Sequence, residues 1–467
     1  SYWIKNYNTD FFSYYKMMFF LGFVLLAFIT FYIYLKREGK LKKTFYYIPL
    51  GLYCLMTIIS TIFSKCKLTS LYGFPDRYEG MPVLLGYILI VIFAVNLINN
   101  KKQLKFLFSI LLISAVIIGI IGFYQFFGYD FFQSSIGKKI ILSFTESKSL
   151  FDNLDYRYDG INIIYSTFYN PNYVGSYFAM LFVLTFVMYL FASNRQNKIL
   201  YGAINLLMFS NWLGSLSRAG ILGVLVSFLL TGFLLRNEIR KRWHSLIIIF
   251  ICFILVFTLM DVYTNGKLRK EFLSLGSETQ LALQGETPKI KDIKTKNSTL
   301  FFNTETVNLS ISLKQEDELV LKEEGSKKLK YHNKHIKTVK SKTGKDYFII
   351  EDSRFSNFKF RIINLKNQTK ILEIYYNDKQ VNFLIDKTNK FWIVGMNGNI
   401  YSIKKVKSWG FKGKENLASG RGYIWSRSLP LLKDTMITGY GHDTFALYFP
   451  QHDAIGKFKA FGTAAKI

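Results

Sequence analysis

The chain of 467 residues carries 60 Lys+Arg against 31 Asp+Glu, a net charge of +29, with half of its residues apolar and 18% aromatic. Such a composition excludes a disordered tail and a small disulfide-stapled secreted domain. The basic residues are separated by apolar runs too long for a soluble core, so a membrane is the expected partner and nucleic acid is not.

Eight stretches without an ionisable side chain, 17–35, 45–63, 81–98, 106–123, 173–192, 199–216, 219–235 and 245–260, read as transmembrane helices. The shorter ones fall slightly below a full hydrocarbon thickness and need interfacial neighbours such as Tyr201, Trp212 and Trp243 to complete the crossing. Cys54 and Cys252 lie inside spans and Cys66 stands alone, so no disulfide framework is expected. The chain starts at Ser1, without a cleavable signal, and ends in a mixed polar segment. Further helices are therefore expected beyond both ends.

The loops 36–43, 99–105, 193–198 and 236–244 hold fourteen Lys and Arg, whereas 64–80 and Ser217–Arg218 hold four. The positive-inside bias makes the first set cytoplasmic, so 64–80, 124–172, 217–218 and 261–467 face outward. Residues 1–262 then form a helical membrane domain, and 263–420 an inserted extracytoplasmic one. In the insertion, Val307, Leu309, Ile311 and Leu313 alternate onto one face, as do Phe358, Phe360 and Ile362. Strands are also expected at 317–322, 347–351, 371–376, 380–385, 391–394 and 399–404, with turns at Asn377–Asp378 and Asn397–Gly398. The expected fold class is a polytopic α-helical membrane protein with a large inserted β-rich, sandwich-like domain. With 30 Lys+Arg against 17 Asp+Glu, a net +13, the insertion suits an anionic envelope surface or glycan. A solvated basic surface explains that charge equally well. Residues 421–467 read as a membrane-surface helix and an outer loop.

No Walker loop, dinucleotide fingerprint, zinc-protease motif or paired cysteine motif occurs, and no cofactor is expected. Asp152, Asp155 and Asp159 are the one divalent-ion candidate, against the alternative of a solvated acidic loop. Arg218, in the tight Ser217–Arg218–Ala219–Gly220 turn between two spans, is placed either to clamp a phosphate or to snorkel to headgroups. Arg421 opens the segment Tyr423–Ile424–Trp425, and Arg427 follows at a different helical angle, so only one of the two need face a site. His442 and His452 each precede an aspartate, Asp443 and Asp453; a general base or a surface loop fits either pair. Arg77, in Asp76–Arg77–Tyr78–Glu79–Gly80, is a further phosphate contact or a partner in local ion pairs.

These features taken in order resemble the O-antigen ligase and polymerase superfamily of multispanning glycosyltransferases. The resemblance rests on Asp76–Gly80, Gly122–Phe123–Tyr124–Gln125, Thr167–Phe168–Tyr169–Asn170–Pro171–Asn172, the Ser217–Gly220 turn, and Arg421 with Trp425 followed by Gly439–Tyr440–Gly441. It implies a polyprenyl-diphosphate-linked glycan donor, an outward-facing site in a bacterial plasma membrane, and a metal-independent reaction. Arg218 and Arg421 would stabilise the diphosphate leaving group, whose charge grows as the anomeric bond breaks. Arg77, Arg427, His442 and Asp443 are the further substrate-contact candidates. The family's base, a histidine in a His-Asn pattern after the outer loop, is not in this chain, and its role does not pass to His442 or His452. The β-insertion exceeds the outer loop of typical members.

The function implied is transfer of glycan from undecaprenyl diphosphate to an acceptor hydroxyl on another glycan or wall polymer. A glycan transporter is disfavoured, since none of the eight spans carries the ionisable groups that coupled transport requires. An envelope glycan-binding protein anchored by its helices is the third possibility.

Overall fold

The computed structural model describes residues 13–75, 77–141, 162–168, 170–270, 272–273, 290–296, 298–304, 307–313, 319–323, 330–331, 336–340, 346–350, 355–365, 369–376, 379–394, 400–403, 406–415 and 417–461. The chain divides into two units. One comprises Ser1–Leu275 with Tyr440–Thr444, the other Gly276–Gly439 with Phe445–Ile467.

The first unit is helical. Its elements are α1 (Ser13–Glu38), α2 (Tyr47–Phe63), α3 (Lys67–Tyr72), α4 (Met81–Leu97), α5 (Lys101–Phe126) and α6 (Ser135–Ile141). There follow α7 (Pro171–Phe191), α8 (Arg195–Gly214), α9 (Arg218–Leu234), α10 (Arg236–Lys241) and α11 (Trp243–Tyr263). All eight apolar stretches fall on helices. Four of these, α1, α5, α7 and α11, are long and apolar enough to cross a membrane, while α2, α4 and α9 are shorter apolar helices of 17 residues. At 1.5 Å per residue, 17 residues rise about 25 Å, less than a ~30 Å hydrocarbon core. The remaining helix, α8, has 20 residues but buries Asn205, Ser210 and Asn211, which lower its hydropathy.

Those buried amides cross-link the bundle. Asn205 Nδ2 donates to Phe182 O at 2.8 Å and Thr185 Oγ1 at 2.9 Å on α7, and Asn211 Nδ2 donates to Gly119 O of α5 at 2.9 Å. Around them Phe178, Phe182, Phe186, Met208, Phe209, Leu213 and Phe253 form the core of α7, α8 and α11. Small residues allow the close approach that helix association in lipid requires. A Cβ on Gly175 of α7 would stand 2.1 Å from Ser217 Cβ, and one on Gly220 2.9 Å from Gly175 O, so α7 and α9 touch along a glycine seam at their first turns. Gly175→Ala is expected to destabilise the unit by about 1–3 kcal/mol, the cost of overpacking. Thermal melting in detergent checks it, with Gly223→Ala, where nothing lies within 4 Å of the new methyl, as a near-neutral control.

The sequence places the membrane domain's end at 262, but the helical unit continues to Leu275. Leu268 is buried in the helical core and Phe272 packs against it, so apolar side chains hold this stretch after α11 ends. The segment expected to be an outer loop also divides. Tyr440–Thr444 belongs to the helical unit, and the rest of 421–461 to the β unit.

The second unit holds two antiparallel sheets whose strands are ordered as in the chain. The five-stranded sheet contains β1 (Ile290–Lys296), β2 (Thr299–Thr304), β3 (Asn308–Leu313), β4 (Leu319–Glu323) and β5 (Lys330–Tyr331). The seven-stranded one contains β6 (Ile336–Lys340), β7 (Asp346–Ile350), β8 (Phe358–Asn364), β9 (Lys370–Tyr376), β10 (Lys379–Ile385), β11 (Phe391–Val394) and β12 (Ile400–Tyr401). Both sheets contribute to one core: Ile293, Leu300, Phe302, Val307, Leu309 and Ile311 from the first, Phe358, Phe360, Leu372, Ile374, Phe383 and Ile393 from the second. The expected alternation is thus realised as a sandwich. The turn dipeptides Asn377–Asp378 and Asn397–Gly398 lie outside the described residues. After the sheets come α12 (Leu417–Ser428), α13 (Phe445–Tyr448) and α14 (Ala454–Phe461).

Asp386 ties β10 to β11. Its Oδ1 accepts from Thr388 N at 2.7 Å, Thr388 Oγ1 at 2.6 Å and Lys390 N at 3.0 Å, and its Oδ2 accepts from Trp392 Nε1 at 2.9 Å. Burial pushes this carboxyl up, but hydrogen bonds to its charged form outweigh burial and bring it from 3.8 down to about 2. The group therefore stabilises the fold fully above 3.8, and that contribution disappears as the pH falls towards about 2. In acid titrations followed by tryptophan fluorescence, Asp386→Asn is expected to lose less stability than wild type across that window.

Candidate functional site

Arg218 stands at the first position of α9. Ser217 caps this helix, its Oγ accepting from Gly220 N at 3.2 Å and donating to Asn172 Oδ1 at 3.4 Å. Asn172 sits in the first turn of α7, which starts with Pro171 behind the cap Asn170. The glycine seam therefore brings two helix N-termini side by side, with the exposed guanidinium beside them. Each terminus carries the positive end of a helix dipole.

That placement is opposite to that of two other anchored cations. Lys42 Nζ donates to Val95 O at 2.8 Å and Ile98 O at 2.9 Å at the end of α4. Arg242 Nη1 donates to Leu190 O at 2.5 Å at the end of α7. Both sit at helix C-termini, where a cation is stabilised. At an N-terminus a cation gains nothing from the dipole, and the guanidinium and the two termini add into one positive field. Such a field attracts an anion with several oxygens.

Sequence reasoning passes over a second cation on this side of α7. Lys16 Nζ donates to Thr167 O at 2.5 Å and lies 5.4 Å from the Phe168 ring centre, just before the α7 cap. Its only signal is a lone lysine at the start of an apolar span. The loop itself is stitched to α5 and α8. Ser166 N donates to Gln125 Oε1 at 2.6 Å, Ile164 N donates to Gly214 O at 3.0 Å, and Tyr165 Oη donates to Asp130. Of the residues singled out in the sequence, Asn172 thus borders the Arg218 turn, and Gln125 holds the loop that leads to the α7 cap. Tyr169 lies outside the described residues, as do Asp152, Asp155 and Asp159.

His442 and Asp443 meet the Arg77 loop within the helical unit. His442 Nε2 lies 3.1 Å from Thr57 O, and His442 N donates to Ser70 Oγ at 3.0 Å. A carbonyl only accepts, so Nε2 is the donor in this contact. Asp443 Oδ2 accepts from Phe74 N at 2.6 Å, and Ser64 Oγ donates to Tyr440 O at 2.7 Å. Gly441 has φ +104°, and a Cβ there would lie 2.4 Å from Ser64 Oγ, so only glycine fits the strap Tyr440–Thr444 over α2 and α3. Both side chains expected to bind substrate instead hold backbone groups of α2 and of the Gly73–Gly80 loop. Arg77, two residues from Pro75 in that loop, is exposed; Asp76 lies outside the described residues.

Arg421 and Arg427 both lie on α12, in the β unit, and differ as their helical angles require. Arg421 shares an exposed stripe with Trp425 one turn on. Arg427 faces inward and is only 8% exposed. Its Nε donates to Asp453 Oδ2 at 2.8 Å, its Nη1 to Ser426 Oγ at 2.8 Å, and its guanidinium lies 4.6 Å from the Tyr423 ring centre. Arg427, expected as a substrate contact, is engaged here in an internal ion pair. The same carboxylate accepts from Gly456 N at 3.0 Å and acts on Lys457, whose ammonium burial pushes below its ordinary range while Asp453 opposes that shift. Burial first, then the charge of Asp453, raises the Tyr423 phenol, which stays protonated. His452 is exposed.

The chain matches no protein-family model, no curated protein and no solved structure.

Proposed function

We propose that the chain is a membrane glycosyltransferase of the O-antigen ligase and polymerase type. It crosses a bacterial plasma membrane eight times and carries its β unit on the extracytoplasmic side. The observation that carries this reading is Arg218 beside two neighbouring helix N-termini, groups of a charge that suits a phosphate, at one end of an apolar bundle. A lipid-linked donor would place its diphosphate there. The acceptor hydroxyl oxygen bonds to the anomeric carbon and gives up its proton to water, the bond from that carbon to the diphosphate oxygen breaks, and the diphosphate leaves with the electron pair. Arg218 acts on the growing charge; the resemblance gives the same role to Arg421, which is exposed on α12. Arg77, on its exposed loop, is a further contact for the lipid-linked glycan.

The orientation draws support from the fourteen cations in the loops opposite the Arg218 turn, of which Lys42 and Arg242 cap helix C-termini. The shorter helices cross as neighbours of longer ones, in a bilayer thinned around them.

The test is conversion of lipid-diphosphate-linked repeat units by the protein in proteoliposomes, with products resolved on gels. A ladder identifies a polymerase, and one shift that requires an added acceptor identifies a ligase. No conversion across envelope donors, with donor and acceptor supplied, overturns the reading.

A further inference from the structure

We infer that the loop 406–415, together with the exposed stripe of α12, is a docking surface for an anionic phospholipid headgroup layer. The inference is independent of the transferase reading. It begins with aromatic side chains that the β unit leaves uncovered. Trp409 is 68% exposed and Trp425 45% exposed, whereas the sandwich encloses its aromatic residues Phe302, Phe358, Phe360 and Phe383 almost completely.

The exposed rings are held in place. Trp409 N donates to Ser426 O at 2.8 Å, Tyr423 N donates to Glu415 O at 2.8 Å, and the Phe411 and Trp425 ring centres are 5.6 Å apart. Gly410 (φ +70°) and Gly413 (φ +73°) adopt the left-handed turns that fold the loop back on α12. Gly422 lets the two approach, since a Cβ there would stand 2.4 Å from Lys414 O. This is a folded platform presenting two indoles beside a half-buried phenyl ring, and not a solvated tail.

Charge identifies the occupant. Lys407, Lys412 and Lys414 are exposed around the rings, and Glu415 is the one acid among the described residues of the loop. Tryptophan with lysine is the pairing that suits the membrane interface: the ring sits at headgroup level with its N–H hydrated, and the lysine stem lies along apolar surface while its head meets phosphate. Each cation near an anionic surface adds attraction, and the buried rings add the hydrophobic part. A protein partner would also cover the rings, but it would not make the contact depend on lipid charge.

The full chain is reconstituted in vesicles of phosphatidylcholine alone and in vesicles with phosphatidylglycerol added, each containing bromine-labelled acyl chains. Tryptophan quenching is read as the difference between wild type and the Trp409→Phe and Trp425→Phe variants, which keep an aromatic ring. The expected result is quenching of both tryptophans in the anionic vesicles, relieved by salt and much weaker in the neutral ones. Lys407→Gln, Lys412→Gln and Lys414→Gln should each lower the docked-to-undocked ratio about fivefold. Quenching absent in both vesicles, or equal in both and indifferent to salt, overturns the inference. Since no turnover is measured, failure here leaves the transferase reading standing, and failure of that reading leaves this one.

Discussion

Replacing Arg218 with alanine is expected to slow glycan transfer by about 10²–10³-fold, the usual loss when one preorganised donor to a developing oxyanion is removed. The effect should fall mainly on kcat, because the diphosphate gains most of its charge as the anomeric bond breaks. Fold should be spared, since Arg218 is exposed and the cap of α9 is made by the Ser217 side chain and not by the arginine. Arg218→Lys keeps the charge but loses the planar fork, and a bidentate contact predicts partial rescue. Full rescue would reduce the requirement to a point charge. Near-wild-type turnover in Arg218→Ala, with donor conversion intact, would remove the residue from the site. Single-turnover conversion in proteoliposomes measures all of these. Gly175→Ala is the companion experiment: by wedging the glycine seam it moves the α9 terminus and should lower turnover together with stability, whereas Arg218→Ala should separate the two.

What was legible in the sequence is what periodicity and hydropathy encode. The apolar stretches report helices because a span is written in consecutive residues, and Val307, Leu309 and Ile311 report a strand because every second residue is buried. Strand β1 (Ile-Lys-Asp-Ile-Lys-Thr-Lys) escaped because charged residues interrupt its alternation; over 292–296 only Ile293 is deeply buried. Partnerships between distant residues were not legible. Nothing in Gly439–Tyr440–Gly441–His442–Asp443 announces that it straps α2 and α3, some 370 residues earlier, because each bond pairs one polar side chain with a backbone group that every residue carries. The candidate site was half visible. The Arg218 turn could be read from its arginine and small neighbours, but the second helix N-terminus that gives it a field depends on how α7 and α9 pack. For Arg421 and Arg427 the helical angle said that they diverge, and burial decided which one faces inward.

Asp453→Ala is expected to destabilise the β unit by about 3–5 kcal/mol, because it removes one partner of a buried pair and leaves the other uncompensated. Arg427 would keep a charge in a site 8% exposed, with Ser426 Oγ and the Tyr423 ring face beside it. A guanidinium does not shed its proton to escape, whereas the neighbouring Lys457, which burial pushes down and Asp453 holds up, would be pushed down further. The cost therefore belongs to Arg427, and the double variant Asp453→Ala/Arg427→Met should recover much of it, since an apolar side chain of similar length leaves no buried charge. Hydrogen exchange at α12 and α14 is the measurement: protection should fall in Asp453→Ala and return in the double variant. Arg421→Ala, on the exposed stripe of the same helix, should leave exchange unchanged while lowering turnover. If Asp453→Ala keeps full protection, the ion pair does not hold α12. If the double variant lost turnover while protection returned, Arg427 would have a role in transfer that its burial argues against.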